Sequence, residues 1–185
     1  MPQYHQGTQG ADYTVIRKAT AGDIPDVAGI YQSIAEMEAQ RPMTGWKVGI
    51  YPTGRDAMDS LEKGHLFVME KDGYIVATGR INQEQQPEYA LCDWQDKAPD
   101  DKVMVLHTLC VDPDFGGRGY AREFLQFYED YARRHGCTCL RIDTNAINTN
   151  ARAMYAKLGY REAGIVPCTF NGIEGVDLVM LEKSI

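Results

Sequence analysis

The sequence predicts an α/β fold of the mixed, α+β kind, built on a central sheet of about seven strands, and three observations carry that expectation. Apolar residues recur with the period of a strand in some segments and with that of a helix in others, so both element types are encoded. The dipeptides Asp72-Gly73 and Asn171-Gly172 each sit between apolar runs, where such pairs turn antiparallel hairpins. The stretch Val103 to Val111 is almost continuously apolar, as expected of a central strand covered on both faces.

Taken in order, Met1 to Asp12 is polar and rich in Gly and Gln and reads as a loose tail, leaving residues 13–185 as one domain. Thr14 to Lys18 is the first strand. Thr20 followed three residues later by Asp23 predicts a helix cap, with Pro25 tolerated in the first turn. Beyond it Ile24, Val27, Ala28, Tyr31, Ile34 and Ala35 recur at helical spacing, to about Glu38. The segment Gln40 to Pro52 loses that periodicity at Pro42, Gly45, Gly49 and Pro52 and reads as a loop carrying Trp46 and Tyr51. Thr53 caps a short second helix ending near Gly64. Leu66 to Glu70 and Tyr74 to Ile81 are the arms of the first hairpin.

Asn82 to Lys102 is polar, with Pro87 and Pro99 around Trp94, and reads as a long inserted loop. After the central strand, Tyr120, Phe124, Phe127, Tyr128 and Tyr131 share one helical face, and Arg133, Arg134 and His135 before Gly136 suit a helix C-terminus. Leu140 to Thr144 is a further strand. Thr149 or Asn150 caps a short helix with apolar face Ala151, Met154, Tyr155 and Leu158, stopped at Gly159. Val176 to Leu181 is the second arm of the closing hairpin. The order is strand, two helices, three strands, helix, strand, helix, two strands.

Composition narrows the function. In 185 residues, 44% are hydrophobic and 24% charged, which suits a folded chain of one domain. A net charge of −7 without a Lys/Arg block leaves no electrostatic footprint for nucleic acid and favours a cationic partner. No run approaches the roughly 18 apolar residues of a membrane span, and Met1 to Gly10 lacks the order of a signal peptide, so a cytoplasmic protein without membrane contact is expected. Five cysteines, an odd count without paired CxxC motifs, suggest neither a disulfide framework nor a metal site.

The most informative segment, Val111-Asp112-Pro113-Asp114-Phe115-Gly116-Gly117-Arg118-Gly119-Tyr120-Ala121, leaves the apolar strand and enters an amphipathic helix through three glycines. Such a loop turns backbone N–H groups toward one point at a helix N-terminus and suits a diphosphate. A turn that only reverses the chain is the alternative. The spacing is neither that of a Walker A loop nor that of the dinucleotide fingerprint.

A second motif follows at Asn148-Thr149-Asn150-Ala151-Arg152-Ala153-Met154-Tyr155-Ala156-Lys157-Leu158-Gly159-Tyr160, and with both in place the chain resembles the GNAT superfamily of acyl-CoA N-acyltransferases. Gly119 and Ala121 match the last two fixed positions of that family's acetyl-CoA motif, Gln/Arg-x-x-Gly-x-Gly/Ala, whereas Gly116 replaces its Gln or Arg. Asn148, Ala151, Tyr155, Lys157, Gly159 and Tyr160 match the later pattern. The resemblance spans roughly Tyr13 to Lys183, with Asn82 to Lys102 as variable length.

That resemblance implies a mostly antiparallel sheet with helices on both faces and one splayed parallel pair, here Val103 to Val111 and Leu140 to Thr144. It implies acetyl-CoA as co-substrate, with the pantetheine arm along Leu109, Cys110 and Val111. The diphosphate is expected at Gly116, Gly117, Arg118, Gly119, Tyr120 and Ala121, with charge from Arg118 or Arg122, and Asn148 and Tyr155 also belong to the cofactor site. The reaction implied is direct attack of a primary amine on the thioester in a ternary complex, without metal. A backbone N–H near Leu109 would steady the oxyanion, an effect on the order of 3 kcal/mol in comparable sites. Tyr155 takes the general-acid position, since a phenol with an ordinary pKa of about 10 stays protonated near neutrality.

An amine of pKa about 10.4 is neutral only a few parts in ten thousand at pH 7, a penalty of roughly 4–5 kcal/mol, so a base is needed. His107 is the first candidate, because strand alternation gives it the face of Leu109 and Val111. Glu36, Glu38 and Asp143 are reserves, and Glu36 and Asp143 with Trp46 and Tyr51 are the expected acceptor-binding residues, Trp94 a further lining residue. Cys110 reads as a packed thiol rather than a nucleophile. The acceptor is expected to be a small-molecule amine, with a protein N-terminus or lysine as the runner-up, a non-catalytic acyl-CoA sensor as the alternative of another class, and homodimerisation common in the family.

Overall fold

Asp72 and Gly73 both take positive φ, 51° and 83°, so the expected tight hairpin is present in the computed structural model, which describes residues 13–185. Asn171 and Gly172, at 50° and 79°, make the second one. The expected tail, residues 1–12, lies outside the described residues. The elements run β1 (Val15–Lys18), α1 (Ile24–Met37), α2 (Gly54–Glu62), β2 (Leu66–Lys71), β3 (Tyr74–Asn82), β4 (Val103–Val111), α3 (Tyr120–Arg134), β5 (Cys139–Asn145), α4 (Thr149–Lys157), β6 (Arg161–Phe170) and β7 (Ile173–Ser184).

Seven strands form one sheet in the order β1-β2-β3-β4-β5-β7-β6. Every neighbouring pair is antiparallel except β4 and β5, which run parallel. Their ladder extends only from Val103↔Cys139 to Leu106↔Ile142; beyond it β4 continues to Val111 and β5 to Asn145 without pairing with each other. The two strands therefore splay at their C-terminal ends, as expected. A strand buried on both faces reads as a continuous apolar run, and β4 buries Val103 and Val105 on one side and Met104 and Leu106 on the other.

Helices cover both faces. On one, Phe124, Leu125, Tyr128 and Ala132 of α3 pack with Met104, Leu106, Leu140 and Ile142, and Tyr155 of α4 joins that core. On the other, Val27, Ile30, Tyr31 and Ile34 of α1 and Ala57 of α2 pack over Val68, Ile75 and Cys110. The rest of this second face lies under the 82–102 insertion, whose Tyr89 and Trp94 are buried against Val103, Val105 and Met180.

Local signals account for the helix ends. Thr20 with Asp23 and Thr53 with Asp56 each form a reciprocal capping box. The cap of α4 corrects the expectation: Asn148, rather than Thr149 or Asn150, accepts a hydrogen bond from the Ala151 amide at 3.2 Å. The insertion is a loop with two short 3₁₀ turns, Pro87–Leu91 and Asp100–Lys102, pinned where Glu182 accepts from the Gln95 and Asp96 amides and from Arg161.

Candidate active site

The splay of β4 and β5 opens a cavity of about 200 Å³. Its walls are Leu106 to Val111 of β4, Ile142 to Asn145 of β5, Ala121 of α3, and Asn148, Ala151, Met154 and Tyr155 at and within α4. Thr44, Gly45, Trp46 and Tyr51 close it from the loop after α1, and Phe170, Ile173, Val176 and Leu178 from the β6–β7 hairpin. Leu109, Cys110, Val111, Ala121, Asn148 and Tyr155 of the expected cofactor residues thus share one cavity with His107, Asp143, Trp46 and Tyr51. Gly116, Gly117, Arg118, Gly119 and Tyr120 lie outside the lining, in the loop between β4 and α3.

That loop has the conformation an anion cradle needs. Asp112 accepts from the Asp114 amide and closes a 3₁₀ turn over Pro113–Phe115. Gly117 and Gly119 then take φ of 75° and 84°, which side-chain-bearing residues adopt only with strain, and the space where their Cβ atoms would stand is open. Gly119 occupies the N-cap of a 15-residue helix, whose first amides have no intrahelical acceptor. Arg118 is exposed, its guanidinium 5.2 Å from the Phe115 ring centre, and Arg122 is exposed one turn on.

The expected alignment of His107 with Leu109 and Val111 is not found. Thr108 takes φ of 54°, and the β3 register advances from Arg80↔His107 to Thr78↔Cys110, two residues against three, so β4 carries a bulge there. The extra residue reverses the alternation. Leu109 and Val111 pack against the core of α3 and α4, while His107 keeps the face of Val105. The hydroxyl of Thr108 forms a 2.5 Å hydrogen bond with that of Tyr51 and ties the bulge to the 44–51 loop.

His107 is buried, and its Nε2 lies 2.9 Å from Asn82 Oδ1 and 3.1 Å from the Glu84 carbonyl. A carbonyl oxygen only accepts, so Nε2 carries the proton and Nδ1 of the neutral ring presents a lone pair. This Nδ1 is buried without a hydrogen-bond partner, 3.8 Å from Asp143 Oδ2. Burial, helped by the nearby Arg80 charge, drives the imidazole pKa down to about 3. Asp143 moves the other way: burial raises its carboxyl to about 6, against the hydrogen bond that Tyr89 Oη donates at 2.7 Å. Two proton acceptors thus face one another with no donor between them.

Tyr155 is 4% exposed, and burial, with the Asp143 charge behind it, raises its phenol above the ordinary value, so it stays protonated throughout the neutral range. The Cys110 thiol is raised by burial and packs beneath α1, in keeping with a structural role. Glu36 is exposed on α1, accepts from Gln32, and is not brought to the cavity. Glu38, the other reserve base at the end of α1, is occupied differently: its carboxylate accepts from the Met43, Thr44 and Gly45 amides and the Thr44 hydroxyl, and so shapes the wall that carries Trp46. Trp94 closes core instead of lining the cavity, its indole donating to the Tyr89 carbonyl at 2.7 Å beneath the Arg141 guanidinium.

Sequence reasoning passed over Arg80, which lines the cavity from β3, and Tyr89, which holds Asp143. For Arg80 a signal existed, a charge inside the apolar run Tyr74 to Ile81. Tyr89 gave none, because only the tertiary path of the insertion brings it to β5.

Among the described residues no group of His, Cys, Asp and Glu is arranged to hold a metal ion, and no helix is long and apolar enough to cross a membrane. Residues 31–160 match the model of the acetyltransferase (GNAT) family. The N-acetyltransferase YesJ of Bacillus subtilis, itself uncharacterized, is 28% identical over 145 residues, 77% of this chain and 78% of YesJ. The [ribosomal protein bS18]-alanine N-acetyltransferase of Salmonella typhimurium is 38% identical over 61 residues, 33% of this chain and 41% of the relative. In fold, the structure of yncA from Salmonella typhimurium with its cofactor acetyl-CoA superposes with a TM-score of 0.66 at 17% identity, covering 93% of this chain and 94% of the other.

Proposed function

The chain belongs to the acetyltransferase (GNAT) family, an acyl-CoA N-acetyltransferase by its family match and its relatives, and from that premise we propose that it acetylates the primary amine of a small molecule seated between Asp143 and His107. The observation that carries this reading is the pair of converging acceptors, Asp143 Oδ2 and His107 Nδ1, in the wall of the cavity that also holds Tyr155. An ammonium group supplies the N–H donors that this pair lacks.

Acetyl-CoA supplies an acyl group activated as a thioester. The residues fit it: the β5-facing edge of β4 beyond Leu106 is unpaired, and the Gly117–Ala121 segment offers helix-entry amides and, at Gly117 and Gly119, open space for a diphosphate. Asp143, with its pKa near 6, is ionised at neutral pH and takes a proton from the bound ammonium, while His107 Nδ1 accepts a second N–H and turns the nitrogen lone pair toward the acyl carbon. Tyr155 holds the proton that the departing sulfur needs.

The apolar enclosure by Trp46, Phe170, Ile173 and Val176 favours a small acceptor. A protein N-terminus is the second reading, supported by the relative named for ribosomal protein bS18, whose match covers a third of this chain. The test is acetyl-CoA-dependent thiol release with a panel of small amines and of peptides with free N-termini. Turnover on small amines supports the first reading, turnover on peptides alone the second, and acetyl-CoA binding without thiol release from any amine would point to a sensor.

A further inference from the structure

Arg80 stands in register with His107 on the neighbouring strand, so the two side chains rise from the same face of the sheet into the cavity. Its Nε is buried without a hydrogen-bond partner, and its guanidinium enters no ion pair among the described residues. Three of the nearby carboxylates have other partners. Asp143 accepts from Tyr89, Asp56 caps α2 through Thr53, and Glu84 lies 3.6 Å from Lys63. Arg80 also lines a second cavity with Asp56, Asp59, Glu84, Lys63 and His65, and among the described residues none of these acids forms an ion pair with it. A planar fork of five N–H donors at the edge of an amine site is matched by a carboxylate, which accepts two of them side by side.

We propose that Arg80 binds a carboxylate of the acceptor, so that the acceptor is an apolar α-amino acid whose amine lies at Asp143 and His107 and whose side chain lies against Trp46 and Phe170. The inference rests on the amine site proposed above and adds the substrate class. Spacing agrees with it. β3 and β5 flank β4, so the backbones of Arg80 and Asp143 stand at least roughly 10 Å apart, and the long arginine side chain reduces that gap toward the separation of an amine and its own carboxylate. The net charge of −7 pointed to a purely cationic amine; an unpaired guanidinium beside the amine site suits an ampholyte instead.

The test uses matched probes: L-phenylalanine and L-leucine against their carboxamides, with thiol release giving kcat/KM for the wild type, Arg80→Gln and Arg80→Lys. Alongside it, calorimetry titrates N-acetyl-L-phenylalanine and its amide into the CoA-loaded protein, a readout that needs no turnover. The expected result is a preference of the wild type for acid over amide of at least tenfold in both assays. Arg80→Gln should collapse that ratio by tenfold or more and Arg80→Lys restore part of it. Equal use of acid and amide by the wild type, or an equal loss on both in Arg80→Gln, overturns the assignment. Thiol release without a carboxylate preference leaves the transferase reading standing and removes Arg80. Arg80-dependent binding of the acid without thiol release from any amine does the reverse.

Discussion

His107 Nδ1 and Asp143 Oδ2 face each other across 3.8 Å, both buried, the first a lone pair without a partner and the second an acid raised to about pH 6. Neither arrangement is stable alone: a neutral ring facing a carboxylate wants one proton between them. An amine that brings N–H groups into the cavity would satisfy both acceptors, which is the role proposed for the pair.

One consequence concerns stability. Asp143 has a raised pKa, so it disfavours the fold once ionised, and that loss grows as pH rises from its unfolded value near 3.8 through about 6. His107 has a lowered pKa, so its contribution is lost as pH falls from about 6.5 toward 3. In the wild type the two slopes oppose each other between about pH 4 and 6. Asp143→Asn should then lose stability on acidification by about 1 kcal/mol per pH unit in that window, and His107→Gln should gain, both read from thermal unfolding against pH. Above pH 7, Asp143→Asn should exceed the wild type by about 2–3 kcal/mol. Parallel curves for the two variants would mean that the groups are not opposed.

Tyr155→Phe should lower kcat by about 10²–10⁴-fold, the usual range for loss of an acid or base group, and leave acetyl-CoA affinity near that of the parent. Calorimetry with acetyl-CoA and steady-state thiol release check the two halves. A variant as fast as the parent at every pH removes Tyr155 from proton donation.

Glu38→Ala should raise KM for the amine by tenfold or more without changing acetyl-CoA affinity, because four donors of the 43–45 segment lose their shared acceptor. Gly45→Ala tests the same wall. Gly45 has φ of 74°, and a Cβ there would stand 2.5 Å from Nδ2 of Asn145, which donates to the Thr44 carbonyl. The same KM shift is expected, and an unchanged KM in both variants would place the acceptor elsewhere.

The elements that local chemistry determines were legible in the sequence. Asp72-Gly73, the Thr53 capping box and the apolar run of β4 each predict one structure, and each is found within a residue or two of the expected ends. Of the motif positions, Ala121, Asn148 and Tyr155 line the cavity and the glycines form the turn into α3, whereas the placement of His107 is decided by a single backbone torsion. Alternation alone placed His107 beside Leu109; the bulge at Thr108 moves it to the other face, next to Asp143. Arg80 and Tyr89 depend on His107 and Asp143, 27 and 54 residues distant, and the clamp at Glu38 on loop geometry, which no local pattern encodes.

The pH dependence of kcat/KM for the best amine of the panel, compared between the wild type and Asp143→Asn, tests the account most directly. The wild-type profile should rise through an apparent pKa near 6 as Asp143 ionises. Asp143→Asn should be at least 100-fold slower at pH 7, without that limb, and with acetyl-CoA affinity intact. A variant that keeps both the rate and the limb would contradict it.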